Sequence, residues 1–377
     1  MQARLHSAGE VPLATIASPR DMCVGSAPQP RSTFFGLTLT DPASVIPQNG
    51  SLFARLCNEL ILDPRDRPFI ALSLQASIVI VPFAAFLFWP GAFNWWLGGV
   101  YLMLNFGFFV DRYVLMLHNT CHRPLFRRRY KFLNFYISNF LGPFFGETPN
   151  TYLCHHLGMH HPENNLPGDL SSTMRFDRDN VLHFCVYFAR FFFSSLVELS
   201  LYLWRKKRKK LLRRAVLGEL TWYFLVAGLA WLNWQATLTV LVIPYVFVRF
   251  LMMAGNWGQH AFIDKSQPEN CYVNSITCIN TRYNRRCFND GYHIGHHLKP
   301  NRHWTELPVD LIENKSRYAA EGAIVFAGLD FFMIWLLLML RQYRWLARHY
   351  VPLSNSPKTE EEEIVAFLRA RTRAICL

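Results

Sequence analysis

The chain has 377 residues, of which 51% are hydrophobic, 15% aromatic and only 17% charged, less than the share of about a quarter that is usual in soluble domains. The hydrophobic residues gather in long runs, which excludes an ordinary soluble domain and indicates a membrane protein. The formal net charge is +13, but the basic residues stand in short blocks beside the apolar runs. This distribution is typical of cytoplasmic anchors facing anionic lipid, and it argues against a nucleic-acid partner.

The first part of the chain is predicted to enter the membrane as a hairpin. Residues 1–66 mix Pro, Ser and Gly with charged side chains, so we expect a largely disordered arm there. The run 69–110 carries no charge, and as one helix it would be about twice as long as the ~30 Å hydrocarbon core. A Pro-Gly pair lies at its middle, which predicts two helices, 69–89 and 93–112.

Three further apolar stretches follow along the chain. A second hairpin is predicted over 215–254, with its turn near 233–235. The polar residues of 181–204 recur every three or four positions and form one stripe, which is typical of a helix lying in the membrane interface. The run 322–340 is long enough to span, but the arginines that follow it favour an in-plane or re-entrant helix.

These elements predict an all-α integral membrane protein. It would have four transmembrane helices in two hairpins, interfacial helices and a cytosolic histidine-rich cap. The membrane domain would cover 67–350, and the tail 351–377 is expected to be a solvated helix. The positive-inside rule makes the side of the histidine clusters cytoplasmic. The membrane would be the endoplasmic reticulum in a eukaryote and the inner membrane in a bacterium.

Ten of the fourteen histidines lie in four short segments of the chain. Residues three or four apart share a helical face, so each segment can turn its polar rings to one side. The residues singled out are His118, His122, His155, His156, His160, His161, Asn256, His260, His293, His296 and His297. Neutral imidazole is the commonest protein metal ligand. Each segment follows an apolar run that places it on one side of the membrane. So many rings on that side indicate more than one metal ion.

Ligand type alone leaves the metal open, because imidazole suits zinc, copper, iron and nickel. The HExxH motif of zinc proteases is absent from the sequence. A site at the membrane surface fits a substrate whose tail lies in lipid, and attack on an unactivated alkyl C–H bond needs a redox metal and oxygen. A membrane metal-binding or transport protein is the alternative from another class. Its ligands should lie inside the spans along a path.

The order HNTCH, HLGMHH and HIGHH, with one hairpin before the first segment and another before the third, resembles the membrane fatty acid desaturase and hydroxylase superfamily. The NWGQH segment resembles the additional Asn-x-x-x-His of that family, and the resemblance covers roughly 69–312. It implies that the metal ligands are His118, His122, His156, His160, His161, His260, His293, His296 and His297. It also implies that Asn256 holds a bound water. His155 departs from the family pattern, and we expect it to be either a neighbour of the ligands or spare.

The resemblance further implies two iron ions (Fe2+), O2 and a long-chain acyl substrate held in a bent tunnel. The expected reaction introduces a double bond into a fatty acyl chain. A fatty acyl hydroxylase or a terminal-alkene-forming decarboxylase of the same superfamily stays open, because small changes of geometry can redirect the reaction. No HPGG haem-binding motif is present, so the electron donor, cytochrome b5 or ferredoxin, would be a separate protein.

Overall fold

The structure, a computed structural model, describes residues 33–43, 50–353 and 360–375. It is 68% helical, which confirms the mostly helical fold expected from the sequence. The α-helices of these residues are α1 (Leu52–Leu60), α2 (Arg67–Phe88), α3 (Trp95–Leu104), α4 (Val110–His122), α5 (Phe132–Phe135), α6 (Thr151–His155), α7 (His161–Glu163), α8 (Val181–Arg205), α9 (Lys209–Thr237), α10 (Ile243–Gln259), α11 (Cys271–Asn274), α12 (Arg282–Arg286), α13 (His293–Leu298), α14 (Leu307–Glu313), α15 (Lys315–Ala320), α16 (Phe331–Met339), α17 (Tyr343–His349) and α18 (Glu361–Arg371).

Other regular segments connect these helices. The strands are β1 (Thr33–Phe34), β2 (Leu37–Thr38), β3 (Ile276–Ile279) and β4 (Ile324–Ala327). The π-helical segments are Asn105–Phe109, Tyr136–Leu141, His156–His160 and Leu238–Val242. The 3-10 turns are Pro64–Asp66, Arg128–Tyr130, Gly142–Phe145 and Trp304–Glu306.

Four helices of the described residues are long and apolar enough to cross a membrane. They are Pro64–Phe88, Trp95–His122, Val181–Arg205 and Lys209–Gln259. Each is longer than the roughly 20 residues that a hydrocarbon core requires. The chain is therefore an integral membrane protein.

The first apolar run folds as two adjacent helices, α2 and α3. Gly91 between them has a φ of +79°, which glycine adopts without the strain of a side chain. Asn94 then caps α3 by accepting a hydrogen bond from the backbone N–H of Leu97 at 2.9 Å. Phe83 of α2 packs edge-to-face on Tyr101 of α3, with ring centroids 5.7 Å apart. The break therefore lies where the Pro-Gly pair predicts it.

The second helix of this pair is longer than the predicted 93–112. It continues from α3 through the π-helical segment Asn105–Phe109 into α4 and ends at His122. The first histidine segment therefore forms the last turns of the spanning helix itself, since the charged residues that follow position 110 do not interrupt it.

The second long apolar run also bends at the predicted position. Helix α9 is interrupted at Asn233, whose φ of −158° and ψ of 97° are not helical. The Asn233 side chain accepts a hydrogen bond from the backbone N–H of Ala236 at 3.0 Å. This bond caps the helix that follows, which continues through Leu238–Val242 into α10 and ends one residue before His260.

Helix α8 turns its polar stripe towards the protein. Tyr187 of that stripe is buried, and the half-buried Arg190 and Glu198 pair with each other at 2.9 Å. A position of 181–204 in the membrane interface stays a prediction, because Arg190 and Glu198 keep partly exposed side chains. Helix α8 also meets the length and composition of a spanning helix. Its exposed face carries large apolar side chains, namely Val181, Leu182, Val186, Phe193, Val197, Leu201 and Trp204.

The run 322–340 is not one helix. It forms strand β4, a bend at Gly328 with a φ of +81°, and then α16. The Asp330 side chain caps α16 by accepting from the backbone N–H of Met333 at 2.9 Å. Helix α16 has nine residues, which is too short to cross a membrane. The expectation of one continuous in-plane or re-entrant helix over 322–340 was therefore wrong, because the first half of this run forms strand β4 instead.

Two short sheets correct the all-α prediction. Strands β1 and β2 pair antiparallel, and β3 pairs with β4 in parallel, with Ile276 opposite Ile324 and Cys278 opposite Phe326. All four residues of β3 are buried, as is usual for parallel strands covered on both faces. A four-residue apolar run is too short for periodicity to separate a strand from a helix.

The C-terminal tail packs on the protein, contrary to the expectation of a solvated helix. Ile364 and Leu368 of α18 are buried in a core that includes α16 and α17. Arg178 is also fully buried and donates to the backbone carbonyls of Thr173, Met174, Phe176, Ala261, Arg371 and Arg373. One guanidinium thereby joins the tail to the loop after the second histidine segment. Residues 354–359 and 376–377 of the tail lie outside the described residues.

The described part of the predicted disordered arm 1–66 is ordered, whereas 1–32 and 44–49 lie outside the described residues. The buried Asp41 carboxylate accepts from the backbone N–H of Asn280 at 2.7 Å, from Asn284 Nδ2 at 3.0 Å and from Tyr292 Oη at 2.8 Å. Tyr292 directly precedes His293. The arm therefore fixes the segment that leads into the third histidine cluster.

We expect the substitution Asp41→Ala to leave these donors without an acceptor in a buried position. The free energy of unfolding should fall by about 2–4 kcal/mol, because each unsatisfied buried donor costs about 1–3 kcal/mol. Thermal unfolding of the purified protein in lipid nanodiscs measures the loss. The matched control is Glu59→Ala, which removes an exposed acid from the same arm. Equal midpoints for the two variants would contradict this role of Asp41.

Candidate metal centre

The histidine segments occupy helix ends. The first segment forms the last turns of α4, and the third forms α13. His260 directly follows the last residue of α10. The second segment spans the π-helical turn His156–His160, after which His161 begins α7. Such π-helical turns recur at functional sites, because the extra residue in the turn re-aims side chains.

The nine histidines predicted as ligands gather in two groups. Within each group, one nitrogen of every ring lies within 4.8 Å of that of every other ring. The five-histidine group consists of His118, His122, His156, His161 and His296. The four-histidine group consists of His160, His260, His293 and His297. Residues as far apart in sequence as the first and third segments thus meet in one place.

The second segment divides between the two groups, which the sequence analysis did not anticipate. An α-helix would put His156 and His160 on the same face. In the π-helical turn, residues five apart come together instead, and the Nε2 atoms of His156 and His161 are 3.0 Å apart. His160 points to the other group. The turn therefore distributes its histidines over both groups.

Ring nitrogens in each group are spaced as cation ligands are. The Nε2 atoms of His118 and His296 are 2.9 Å apart, and those of His293 and His297 are 3.0 Å apart. Two nitrogen ligands of one cation, with bonds of roughly 2.1 Å, would be about 3.0 to 3.4 Å apart, and the Nε2 atoms of His293 and His260 are 3.2 Å apart. The donor set of each group therefore fits a cation.

Acidic side chains behind the rings fix which nitrogen faces inward. Asp290 Oδ1 lies 3.1 Å from His118 Nδ1, and Asp169 Oδ2 lies 2.7 Å from His160 Nδ1. Asp169 is itself held by the backbone N–H and the hydroxyl of Ser171, at 2.8 and 2.6 Å. When Nδ1 carries the proton, Nε2 keeps its lone pair for a metal.

These supporting residues were not found from the sequence. The backbone carbonyl of Asn274 plays the same part for His260, whose Nδ1 lies 2.8 Å away. Asp290 had one available signal, its position three residues before His293 in the third segment. Asp169 and Asn274 lie away from the histidine segments in sequence, and only the tertiary fold brings them behind their rings.

Burial keeps several of the rings neutral. It lowers the pKa of His156, His293, His296 and His297 well below the usual range, and the neighbouring histidines lower it further. Burial also lowers the pKa of His260 to about 4. Because a metal binds the neutral ring, these histidines are available as ligands at physiological pH.

A third group of potential ligands contains Asp63, Asp66 and His303. Arg65 pairs with Asp63 at 2.7 Å and Arg123 pairs with Asp63 at 3.0 Å, while His303 Nε2 lies 2.9 Å from Asp66. The two arginines neutralise the carboxylates. This group is therefore an ion-pair network that joins the start of α2 to the end of α4 and to the segment after α13.

A cavity of about 310 Å³ lies against both histidine groups. It touches His118 and His156 of the first group and His160 and His293 of the second. The cavity thus joins the metal-binding groups to the apolar interior of the spanning helices. Apolar side chains of α4 and α10 form much of the remaining wall, among them Val110, Val114, Leu115, Val248, Leu251 and Met252.

Asn256 and His155 line this cavity and lie outside both groups. Asn256 Nδ2 donates to the Ser171 carbonyl at 2.9 Å and to Tyr187 Oη at 2.7 Å, which fixes its amide beside the cavity. The Nε2 of His155 is buried and has no hydrogen-bond partner among the described residues. A bound water on Asn256 and a supporting role for His155 stay predictions.

A family model described as fatty acid desaturase matches residues 93–309, more than half of the chain. The chain belongs to the fatty acid desaturase family. The matched residues include all nine histidines of the two groups, so the resemblance inferred from the histidine segments is confirmed. Comparison with curated proteins finds no match. Members of the fatty acid desaturase family are typically oxidoreductases.

The substitution Asp169→Asn should weaken metal binding by roughly 10- to 100-fold, because the amide has no negative charge and only one oxygen to accept from both Ser171 and His160 Nδ1–H. Titration of the purified protein with Fe(II) or Co(II), followed by absorption spectroscopy, measures the affinity. The control Asp177→Asn changes an acid that lies eight residues further on and outside both groups. Equal affinities for the two variants would show that Asp169 does not support a ligand.

Proposed function

We propose that this protein is an O2-dependent diiron membrane enzyme that introduces a double bond into a long fatty acyl chain. The single observation that carries the proposal is the pair of histidine groups set against an apolar cavity. Membership of the fatty acid desaturase family supports it. The two groups are suited to two ions, and the cavity is suited to a hydrocarbon chain.

The nine histidines would hold two iron ions, five on one and four on the other. The spacing of about 3.0 Å between facing nitrogens is suited to ligands of one cation. Iron would supply the redox chemistry with O2 that removal of hydrogen from an unactivated methylene needs, which zinc could not supply. Asp290, Asp169 and the Asn274 carbonyl would hold three of the rings in position from behind.

The acyl chain would lie along the apolar side chains of α4 and α10. Methylenes in contact with Val114, Leu115 and Leu251 would be shielded from water, and the cavity would bring one part of the chain to the histidines. Asn256 would hold a water at the edge of the site. The supporting hydrogen bonds of Asn256 to Ser171 and Tyr187 would keep that amide in place.

The side of the membrane follows from the basic residues near the histidine groups. Arg123 directly follows the first segment, and Arg208 donates to the backbone carbonyl of Gly158 inside the second segment. Basic residues mark the cytoplasmic side of a membrane protein. We therefore infer that the site faces the cytoplasm, in the endoplasmic reticulum of a eukaryote or the inner membrane of a bacterium. A separate carrier, cytochrome b5 or ferredoxin, would deliver the electrons.

A metal transporter would need ligands at intervals through the spanning helices. Here the ligands sit at the last turns of α4, after α10 and on short helices outside the four long apolar ones. This arrangement favours a catalytic centre over a transport path.

Replacement of His160 by alanine should abolish formation of unsaturated acyl chains and reduce the bound iron, while the protein stays in the membrane. The matched control is His183→Ala. His183 lies outside both groups and accepts from the backbone N–H of Asp177 at 3.0 Å. Cells that express the wild type or either variant are compared by lipid and hydrocarbon profiling and by iron content.

The His183→Ala variant should keep its iron and its product. Unsaturated chains from the His160→Ala variant at the wild-type level would contradict the ligand assignment. Hydroxylated chains or terminal alkenes from the wild type, in place of internal double bonds, would contradict desaturation and retain the oxidative class.

A further inference from the structure

A second, smaller cavity adjoins the large one. Its volume is about 40 Å³, and its walls include Glu147, Thr151, His155 and Arg249. We call this smaller cavity the polar cleft. It lies directly beside the space that touches both histidine groups, because the two cavities share four wall residues, namely Tyr152, His155, Phe191 and Met252.

Four polar atoms in the walls of the cleft are buried and have no hydrogen-bond partner among the described residues. They are Glu147 Oε1, Thr151 Oγ1, His155 Nε2 and Arg249 Nε. Glu147 is only 5% exposed and Arg249 only 8%. Burying polar atoms without a partner is costly, so a cluster of them points to a polar ligand.

The size of the cleft identifies that ligand as water. One water needs roughly 10–15 Å³ of such volume, so about three waters fit into it. The four unpartnered atoms would serve these waters as donors or acceptors. A larger polar ligand would not fit beside Phe191 and Met252.

The charges around the cleft leave one carboxyl free to exchange a proton. Glu219 accepts from Arg249 Nη2 at 3.0 Å and from the Thr148 hydroxyl at 2.6 Å, so the guanidinium already has an ionic partner. Burial raises the pKa of Glu147 to about 7, although Arg249 opposes the shift. Glu147 can therefore hold or release a proton near neutral pH. Buried ionisable groups with shifted pKa values are costly and cluster at functional sites.

We propose that the polar cleft is a hydrated site that carries protons from solvent through Glu147 to the cavity beside the histidine groups. Ser195 in its wall lies on α8 between Arg190 and Glu198, whose side chains are half-buried, and the proposed opening to solvent would lie along this polar stripe. His155 contributes Nε2 as a hydrogen-bond partner for water at the other end, where the two cavities share its ring.

The proposal rests on the proposed function, because the balance of desaturation requires protons. One O2 becomes two waters. The acyl chain loses two hydrogen atoms as its C–C single bond becomes a double bond, a one-electron carrier protein supplies two electrons, and solvent supplies two protons. The cleft would deliver these two protons.

The first test needs no turnover. Infrared spectroscopy of the full chain in lipid nanodiscs should show a protonated-carboxyl band that is lost as the pH rises through about 7, the pKa of Glu147. The groups that act on Glu147 or respond to its charge are Arg249, Glu219, Tyr113, Cys121 and Tyr152. The band should vanish in Glu147→Gln and persist in Glu313→Gln, which changes an exposed acid. An unchanged band in Glu147→Gln would overturn the proposal.

The second test measures turnover of the iron-loaded protein with a reduced carrier. Glu147→Gln should lower the rate of O2 uptake by roughly tenfold or more, with the same iron content as the wild type and a larger slowing in D2O. Glu147→Asp should restore part of the rate, and Glu313→Gln should match the wild type. A full rate in Glu147→Gln would refute proton delivery through this residue.

A further variant keeps the proposal testable if Glu147→Gln fails to fold. Thr151→Val removes one hydrogen-bond partner of the proposed waters without changing a charge, and it should also slow O2 uptake and enlarge the D2O effect. Wild-type behaviour of Thr151→Val would count against a hydrated cleft. If the wild type itself takes up no O2, the proposed function fails, while the infrared test still decides whether Glu147 exchanges a proton.

Discussion

The rest of the structure depends on holding nine imidazole rings close together in a buried place. Neutral rings whose Nε2 atoms are about 3 Å apart turn lone pairs towards one another, and the pair His293 and His297 is one example. A cation between the rings relieves this repulsion, and burial keeps the rings from relieving it by protonation. The surrounding helices must therefore be rigid enough to keep the rings in place.

The long helices meet this demand by ending at the site. Helices α4 and α10 reach it directly, so the first segment and His260 are anchored by spans that end there. The polar stripe of α8 supports the same site from the side, because Tyr187 accepts from Asn256. The outer face of α8 stays apolar and is left for lipid. A hydrocarbon solvent favours this arrangement, in which apolar residues face outwards and polar residues face the protein interior.

The sequence predicts those features that depend on local signals. Charged residues predict the ends of the apolar runs, and helix-breaking residues predict the break at Asn233. The positions where the runs end then predict that the histidine segments gather in one place. Periodicity also found the polar stripe of α8. It could not tell which way the stripe faces, because a stripe has the same period whether it meets water or protein.

Features that depend on distant partners were out of reach of the sequence. The division of His156 and His160 between two groups depends on a π-helical turn, which has no clear sequence signature. Asp169 is an ordinary loop acid until the fold brings it to His160. Strand β3 forms because β4, more than forty residues later, lies beside it. The hydrogen bonds of Arg178 likewise join three separate segments of the chain.

The bonds of Arg178 to the carbonyls of Arg371 and Arg373 set an order of events during biosynthesis. These two residues follow His297, the last histidine of the two groups, by more than seventy positions, so the ribosome adds them after all nine histidines. Until they emerge, Arg178 lacks two of its acceptors, and the loop between the second histidine segment and α8 is not fully fixed. The protein around the imidazoles is therefore completed only after the histidines themselves have been synthesised.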